Sequence, residues 1–190
     1  TPIAPPSATL SIQGTGFSLS RDPASSTSFR ILAVYSGSTS VSDLTISGGE
    51  AALATTSGMG GGIFNSSPSL TLTNCSLLNN VAESYGGGLH NEGFTILDHC
   101  TISSNTANWG GGVSTETSMD IQGGTMINGN QSWLLGGGIY NSANLTIDNT
   151  TITANNSSSS GGGIYHSIGT LTISNATLSS NTTAFGLGGG

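Results

Sequence analysis

The residues of this chain best placed to do chemistry are two cysteines, a handful of carboxylates and three histidines. Cys75 and Cys100 are 25 positions apart, and the same interval continues to Thr125 and Thr150 and, one step later, Ala176. Such a column puts two thiols on adjacent turns of a repeat, at a Cα separation of about 4.8 Å. That lies inside the disulfide range, but parallel Cβ vectors leave the Cβ atoms slightly far apart. Two readings stand: a disulfide, or two small buried side chains. Asp98 and Asp148 share another column two repeats apart, about 10 Å, which exceeds the window of about 6.5–9.5 Å for an inverting carboxylate pair. By the 25-residue interval Gly123 lies between them, and no neighbouring acid completes a pair. His90, His99 and His166 fall in three different columns and show no metal-ligand spacing. No catalytic, cofactor-binding or metal-binding set is therefore expected.

The elements that position these residues follow from an internal repeat. Gly-Gly-Gly recurs at Gly60, Gly86, Gly110, Gly136, Gly161 and Gly188, in steps of 26, 24, 26, 25 and 27 residues. Asparagine recurs more evenly at Asn80, Asn105, Asn130, Asn155 and Asn181, in steps of 25, 25, 25 and 26. A fixed period of this size marks a solenoid. Within one repeat, Ile139-Tyr140-Asn141, Leu145-Thr146-Ile147 and Thr151-Ile152-Thr153 alternate in polarity and are separated by turn residues. They read as three short strands, too β-branched and too rich in Gly, Ser and Asn for helix. The middle strand aligns as Leu70-Thr71-Leu72, Phe94-Thr95-Ile96, Met119-Asp120-Ile121, Leu145-Thr146-Ile147 and Leu171-Thr172-Ile173. Ile63, Leu89, Val113, Ile139 and Ile164 are expected to stack inward. The asparagines are expected to bond coil to coil as a structural ladder.

The expected fold is thus all-β: a right-handed parallel β-helix of about seven coils, about 25 residues per coil, three short strands in each. One domain spans residues 1–190. Residues 1–59 form irregular first coils, 60–187 the regular repeats, and 188–190 the start of a further coil. Leu10-Ser11-Ile12, Phe29–Val34 and Leu44-Thr45-Ile46 belong to the first coils, with Gly49 at the asparagine position and residues 13–28 as an extended turn. Pro2, Pro5 and Pro6 suit an edge or tail. The chain opens at Thr1 rather than Met, so an upstream segment is expected to be either removed or not included.

Composition narrows the function. Of 190 residues, 6% are charged, against about 25% in ordinary domains. Arg21 and Arg30 are the only cations besides histidine, and the net charge is −7. Phosphate binding needs clustered Lys and Arg, so nucleic acid is excluded as a partner, and an anionic membrane surface likewise. No apolar run reaches the ~20 residues of a membrane helix, so this segment is not expected to insert. Tyr85, Trp109 and Trp133 precede Gly triplets and are expected at one corner, either covering it or offering ring faces to a sugar or a neighbouring subunit. Sequons occur at Asn65, Asn74, Asn130, Asn144, Asn149, Asn155, Asn156, Asn175 and Asn181, several of them on ladder positions.

The run Gly136-Gly-Gly-Ile139-Tyr140-Asn141 followed by Leu145–Asn155 resembles the right-handed parallel β-helix repeat of bacterial surface and secreted proteins. It is similar to the paired Gly-Gly-Ala-Ile and Phe-x-x-Asn motifs of polymorphic outer membrane protein repeats. Leu10–Gly49 is similar to the first coils of large extracellular β-helix proteins. The resemblance implies right-handed coiling and an extracellular or cell-surface setting, without implying an activity. The expected function is a non-enzymatic structural or adhesive solenoid that stacks head to tail into a filament. A carbohydrate-binding module using Tyr85, Trp109 and Trp133 is the second reading. A glycan-cleaving enzyme of lyase or hydrolase type comes third, because no lysine exists and both arginines lie in the first coils, away from Asp98 and Asp148.

Overall fold

A computed structural model describes residues 9–185 together with Gly188. Pro2, Pro5, Pro6, Gly189 and Gly190 lie outside the described residues. The chain is a parallel β-solenoid. Strands pair in parallel with their equivalents on neighbouring coils, on both sides except at the sheet edges, and the pairs build two seven-stranded and two six-stranded sheets. Apart from the one-turn helix Leu53–Thr56, all regular structure is strand.

Starting from a Gly triplet, each coil visits four faces in order. In the second triplet repeat these are Leu89–Asn91, Thr95–Asp98, Thr101–Ser103 and Thr106–Trp109. The first face runs from Leu32–Val34 to Ile164–His166, the second from Thr9–Gln13 to Leu171–Ser174. The third runs from Ser18–Ser20 to Thr177–Ser179, the fourth from Glu50–Ala51 to Thr182–Thr183. The structure thus has four strands per coil rather than three. The fourth hides in the sequence for a physical reason. Several of its strands are two residues long, as at Val81–Ala82 and Asn156–Ser157, too short to show an alternation. Its inward column is Ala51, Ala82, Ala107, Ser132 and Ser157, all buried and small, so it carries little hydrophobic signal. Residues 13–28, read as a turn, contain the strand Ser18–Ser20, whose Leu19 pairs with Ile46.

The core is a set of apolar columns. Ile63, Leu89, Val113 and Ile139 stack on the first face with no exposure, as expected. Leu72, Leu97, Ile121 and Ile147 stack on the second face, and Ile46, Leu77, Ile102, Ile127 and Ile152 on the third. One alignment needs correction. In the coil of Gly86 the inward residues of the second face are Thr95 and Leu97, paired with Leu70 and Leu72, not Phe94 and Ile96. That triplet interval is the 24-residue one. Thr95 enters the core because its hydroxyl donates to Asn91 Oδ1 at 2.7 Å.

The asparagine column is a continuous buried ladder. In Asn105, the backbone N–H and Nδ2 both donate to Asn130 Oδ1, at 3.0 and 3.0 Å, and Nδ2 also donates back to Leu77 O at 2.9 Å. Asn80, Asn130 and Asn155 repeat the set with Asn105, Asn155 and Asn181. In the first coil Gly49 stands in the column, and its N–H donates to Asn80 Oδ1 at 2.9 Å. The residue before each rung is left-handed: Asn79, Ser104, Gly129, Ala154 and Ser180 have φ of 54, 56, 60, 53 and 55°.

The Gly triplets fit around this ladder. The first glycine has φ of 64–67° in all five regular triplets. The third packs on the ladder: a Cβ on Gly112 would sit 2.7 Å from Gly138 O and 3.0 Å from Asn130 Nδ2. Gly188 takes the first-glycine place of a further coil, accepting from Gly162 N–H at 3.0 Å.

Asn130→Ala removes the acceptor of two buried donors on Asn105, so it is expected to lower the unfolding free energy by about 3 kcal/mol. Asn128→Ala, on the strand Met126–Asn128 that precedes this rung, should cost no more than about 0.5 kcal/mol. Urea unfolding of both variants checks this, and equal losses would contradict the ladder's role.

Candidate functional site

The two cysteines lie where the repeat puts them, stacked and buried, and both are free thiols. The Cys75 thiol donates to Val41 O and Thr73 O, each at 3.4 Å; the Cys100 thiol donates to Leu72 O and Asp98 O, each at 3.4 Å. Thr150 makes the same pair of bonds, with Ile121 O at 3.4 Å and Asp148 O at 2.9 Å. The column therefore demands a small side chain with one donor, which thiol and hydroxyl both satisfy. The contact with the Cys75 thiol, and then burial, hold the Cys100 proton well above the ordinary cysteine range. A thiol in that state is a poor nucleophile.

The carboxylates stay apart. Asp98 and Asp148 share an outward column of the second face, separated by Gln122 rather than Gly123. The coil is one residue shorter there, and Gly123 and Gly124 follow as turn residues with φ of 71 and 81°. Asp98 Oδ1 meets His99 Nδ1 at 2.8 Å on the surface. Asp148 accepts from Ser174 Oγ at 2.6 Å and Asn175 Nδ2 at 2.9 Å, and these bonds pull its pKa down. Among the described residues, no group of three or more His, Cys, Asp or Glu stands close enough to hold a metal ion.

The three aromatics divide. Tyr85 and Trp109 occupy one corner, their rings stacked on each other with centroids 4.7 Å apart and planes 20° apart. Trp133 is elsewhere. The strand Gln131–Leu135 is irregular against Thr106–Trp109, so that Leu135 and not Trp133 pairs with Trp109. The extra residue turns Trp133 out onto the fourth face, 56% exposed, beside Leu53, Val81 and Asn108. A bulge of this kind redirects a side chain while the asparagine column keeps its 25-residue step; the triplet step across it is 26.

Three features escaped the sequence reading. The first is a second polar column on the first face: Asn65 Nδ2 donates to Asn91 Oδ1 at 2.9 Å, Asn91 Nδ2 to Thr115 Oγ1 at 3.0 Å, and Asn141 Nδ2 meets His166 Nδ1 at 2.7 Å. The second is an aromatic strip of residues one place before it: Phe64, His90, Ser114, Tyr140 and Tyr165. Both were legible as the second and third residues after each triplet. The third is a cavity of about 560 Å³ lined by Arg30, Tyr35, Thr56, Ser57, Phe64 and Glu92. It is assembled from segments of three coils, and sequence period carries no sign of it.

His90 is the titratable centre of the strip. It has no exposure, and its ring lies 5.8 Å from Phe64 and 5.6 Å from Tyr85. Neither ring nitrogen has a hydrogen-bond partner, although Glu92 Oε1 stands 3.5 Å from Nε2. Burial, and then the charge of Arg30, push its pKa down to about 4. The ring is neutral at pH 7.

No protein-family model matches the chain, and neither a curated protein nor a solved structure matches it. The solenoid stands on its own geometry, and the likeness to outer membrane protein repeats rests on the quoted motifs alone.

Two outcomes follow. Unfolded His90 takes up a proton near the ordinary value of 6.5 and folded His90 only near 4, so its contribution is full above pH 6.5 and lost as pH falls to 4. The loss amounts to about 3 kcal/mol. His90→Phe should remove that slope from the pH dependence of urea midpoints; burial raises Glu92 and acts in the opposite sense in both proteins. Cys100→Thr should unfold within about 1 kcal/mol of the parent, because the hydroxyl reproduces both thiol bonds. A loss of several kcal/mol in thermal unfolding would contradict this.

Proposed function

We propose that the chain is a structural solenoid, a stiff and nearly uncharged module of an extracellular or cell-surface assembly that works by holding shape rather than by catalysis. The observation that supports this best is the use of the buried polar groups. The interior asparagines spend their amides on bonds from coil to coil, and the two thiols on backbone carbonyls. Outward positions are largely Ser, Thr and Asn: along the third face the column reads Ser18, Thr45, Ser76, Thr101, Met126, Thr151 and Thr177, with Met126 its one apolar member. A surface of that kind is hydrogen-bonding and insensitive to salt.

End-to-end association belongs to the same proposal. Strand edges of a parallel solenoid template further strands, and a head-to-tail contact that does not close makes a filament; Ile173 lies in the outermost described strand of the second face. Seven coils rise about 35 Å. Of the three aromatics, Trp133 keeps its ring face open, which favours contact with a sugar or a subunit there over Tyr85 and Trp109.

Electron micrographs and sedimentation of the 190-residue chain should show rods several times longer than about 35 Å at micromolar concentration. Replacing Ile173 by Asp should return them to single length. Particles of single length at every concentration would overturn the association, and turnover of a glycan by the purified chain would overturn the structural reading.

A further inference from the structure

The chain has two arginines, and the structure treats them oppositely. Arg21 is neutralised: Nη2 lies 2.9 Å from Glu50 Oε2, and Nε and Nη1 donate to Gly48 O and Ser25 O, each at 3.0 Å. Arg30 has no carboxylate within ion-pair distance among the described residues. Nη2 donates to Thr56 O at 2.5 Å and Nη1 reaches the Tyr35 hydroxyl at 3.5 Å, while Nε is out of contact with solvent and has no acceptor. The guanidinium carbon sits 4.5 Å over the Phe64 ring. Burial pulls its pKa down, against small opposing effects from Tyr35 and Glu92. This is a fixed, partly desolvated cation held only by neutral groups and an aromatic face.

It opens into the cavity of about 560 Å³ described above, which has the size of a small-ligand pocket. One wall is apolar: Phe64 is the floor, and the Tyr35 ring, 65% exposed, stands 5.7 Å from it. The Thr56 and Ser57 segment closes another side, with Ser57 in a left-handed conformation at φ 58° that caps the one-turn helix. Glu92 lines the cavity with Arg30, its carboxyl raised by burial and by Glu116.

We infer that this cavity binds a uronic acid residue, a sugar ring that carries a carboxylate. The guanidinium fork takes the carboxylate, a geometry arginine favours. The exposed Tyr35 ring takes the apolar face of the pyranose, beside the guanidinium that covers the buried Phe64. Glu92 accepts from ring hydroxyls. The same glutamate, in a chain of net charge −7, repels a small anion that brings no hydroxyls to offset it. Carboxylate and hydroxyls on one ring meet both walls. The site joins Arg30, Tyr35, Thr56 and Ser57 of the irregular first coils to Phe64 and Glu92 of the first two triplet repeats, and it does not rest on the structural role proposed above.

Titration of the 190-residue chain with glucuronate, followed by NMR shifts, tests the assignment against glucose and inorganic phosphate. Saturable glucuronate binding is expected, with glucose and phosphate weaker by about tenfold or more. Arg30→Gln and Tyr35→Ala should each weaken glucuronate by about tenfold or more, and Asp148→Asn should leave it unchanged. Tyr35 is largely exposed, so its variant remains folded and carries the test if Arg30→Gln does not. No saturable binding overturns the proposal. Phosphate binding as tightly as glucuronate makes it a general anion site, and glucose binding as tightly makes it a neutral-sugar site; either result also overturns it. So does glucuronate affinity that Tyr35→Ala leaves intact.

Discussion

The solenoid depends on one constraint: an asparagine amide placed inside the protein must find partners for all its donors, and the only partners at hand are on the neighbouring coils. Each rung accepts two bonds at Oδ1 from the coil before it and returns one from Nδ2 to that coil's backbone. A buried polar group left unpaired costs about 1–3 kcal/mol. Register therefore cannot drift by one residue without orphaning a whole column, and the ladder fixes the coil length at that corner more tightly than the hydrophobic columns do.

Other features follow from that corner. The left-handed residue before each rung turns the chain so that the amide points inward, and the following strand can be short because its own inward side meets only alanine and serine. The third glycine of each triplet lies against the rung, where a Cβ would collide with the amide. The apolar columns then fill the rest of the section. Leucine, isoleucine and valine are interchangeable there because each column asks for volume and not for a bond. The Cys75–Cys100–Thr125–Thr150 column is intermediate: it asks for a small side chain with one donor, and sulfur and oxygen both supply it.

Sites that resemble recognition chemistry lie where the repeat is broken. Trp133 is turned outward by an irregular strand, and Arg30 lies in the first coils, beside the one helical turn among the described residues. A perfectly regular solenoid repeats each side chain along its length and gathers no unlike groups at one point. Where an irregular coil meets the first regular ones, a cation, an aromatic ring and a carboxyl come together, as at Arg30, Phe64 and Glu92.

The sequence by itself determined the coil count, the parallel stacking, the inward columns and the asparagine ladder, because stacked coils convert a period in sequence directly into contact in space. Asn80 to Asn181 and Ile63 to Ile139 were legible for that reason. Tertiary structure alone decided the rest. The fourth face has strands of two residues and a column of small side chains, which leave no periodic signal until the chain closes on itself. The one-residue shifts that put Thr95 inward and Gln122 between Asp98 and Asp148 depend on where a turn absorbs a missing residue. The stacking of Tyr85 on Trp109, the exposure of Trp133 and the lack of an ion-pair partner for Arg30 among the described residues depend on side-chain direction and distance, which spacing along a chain does not encode.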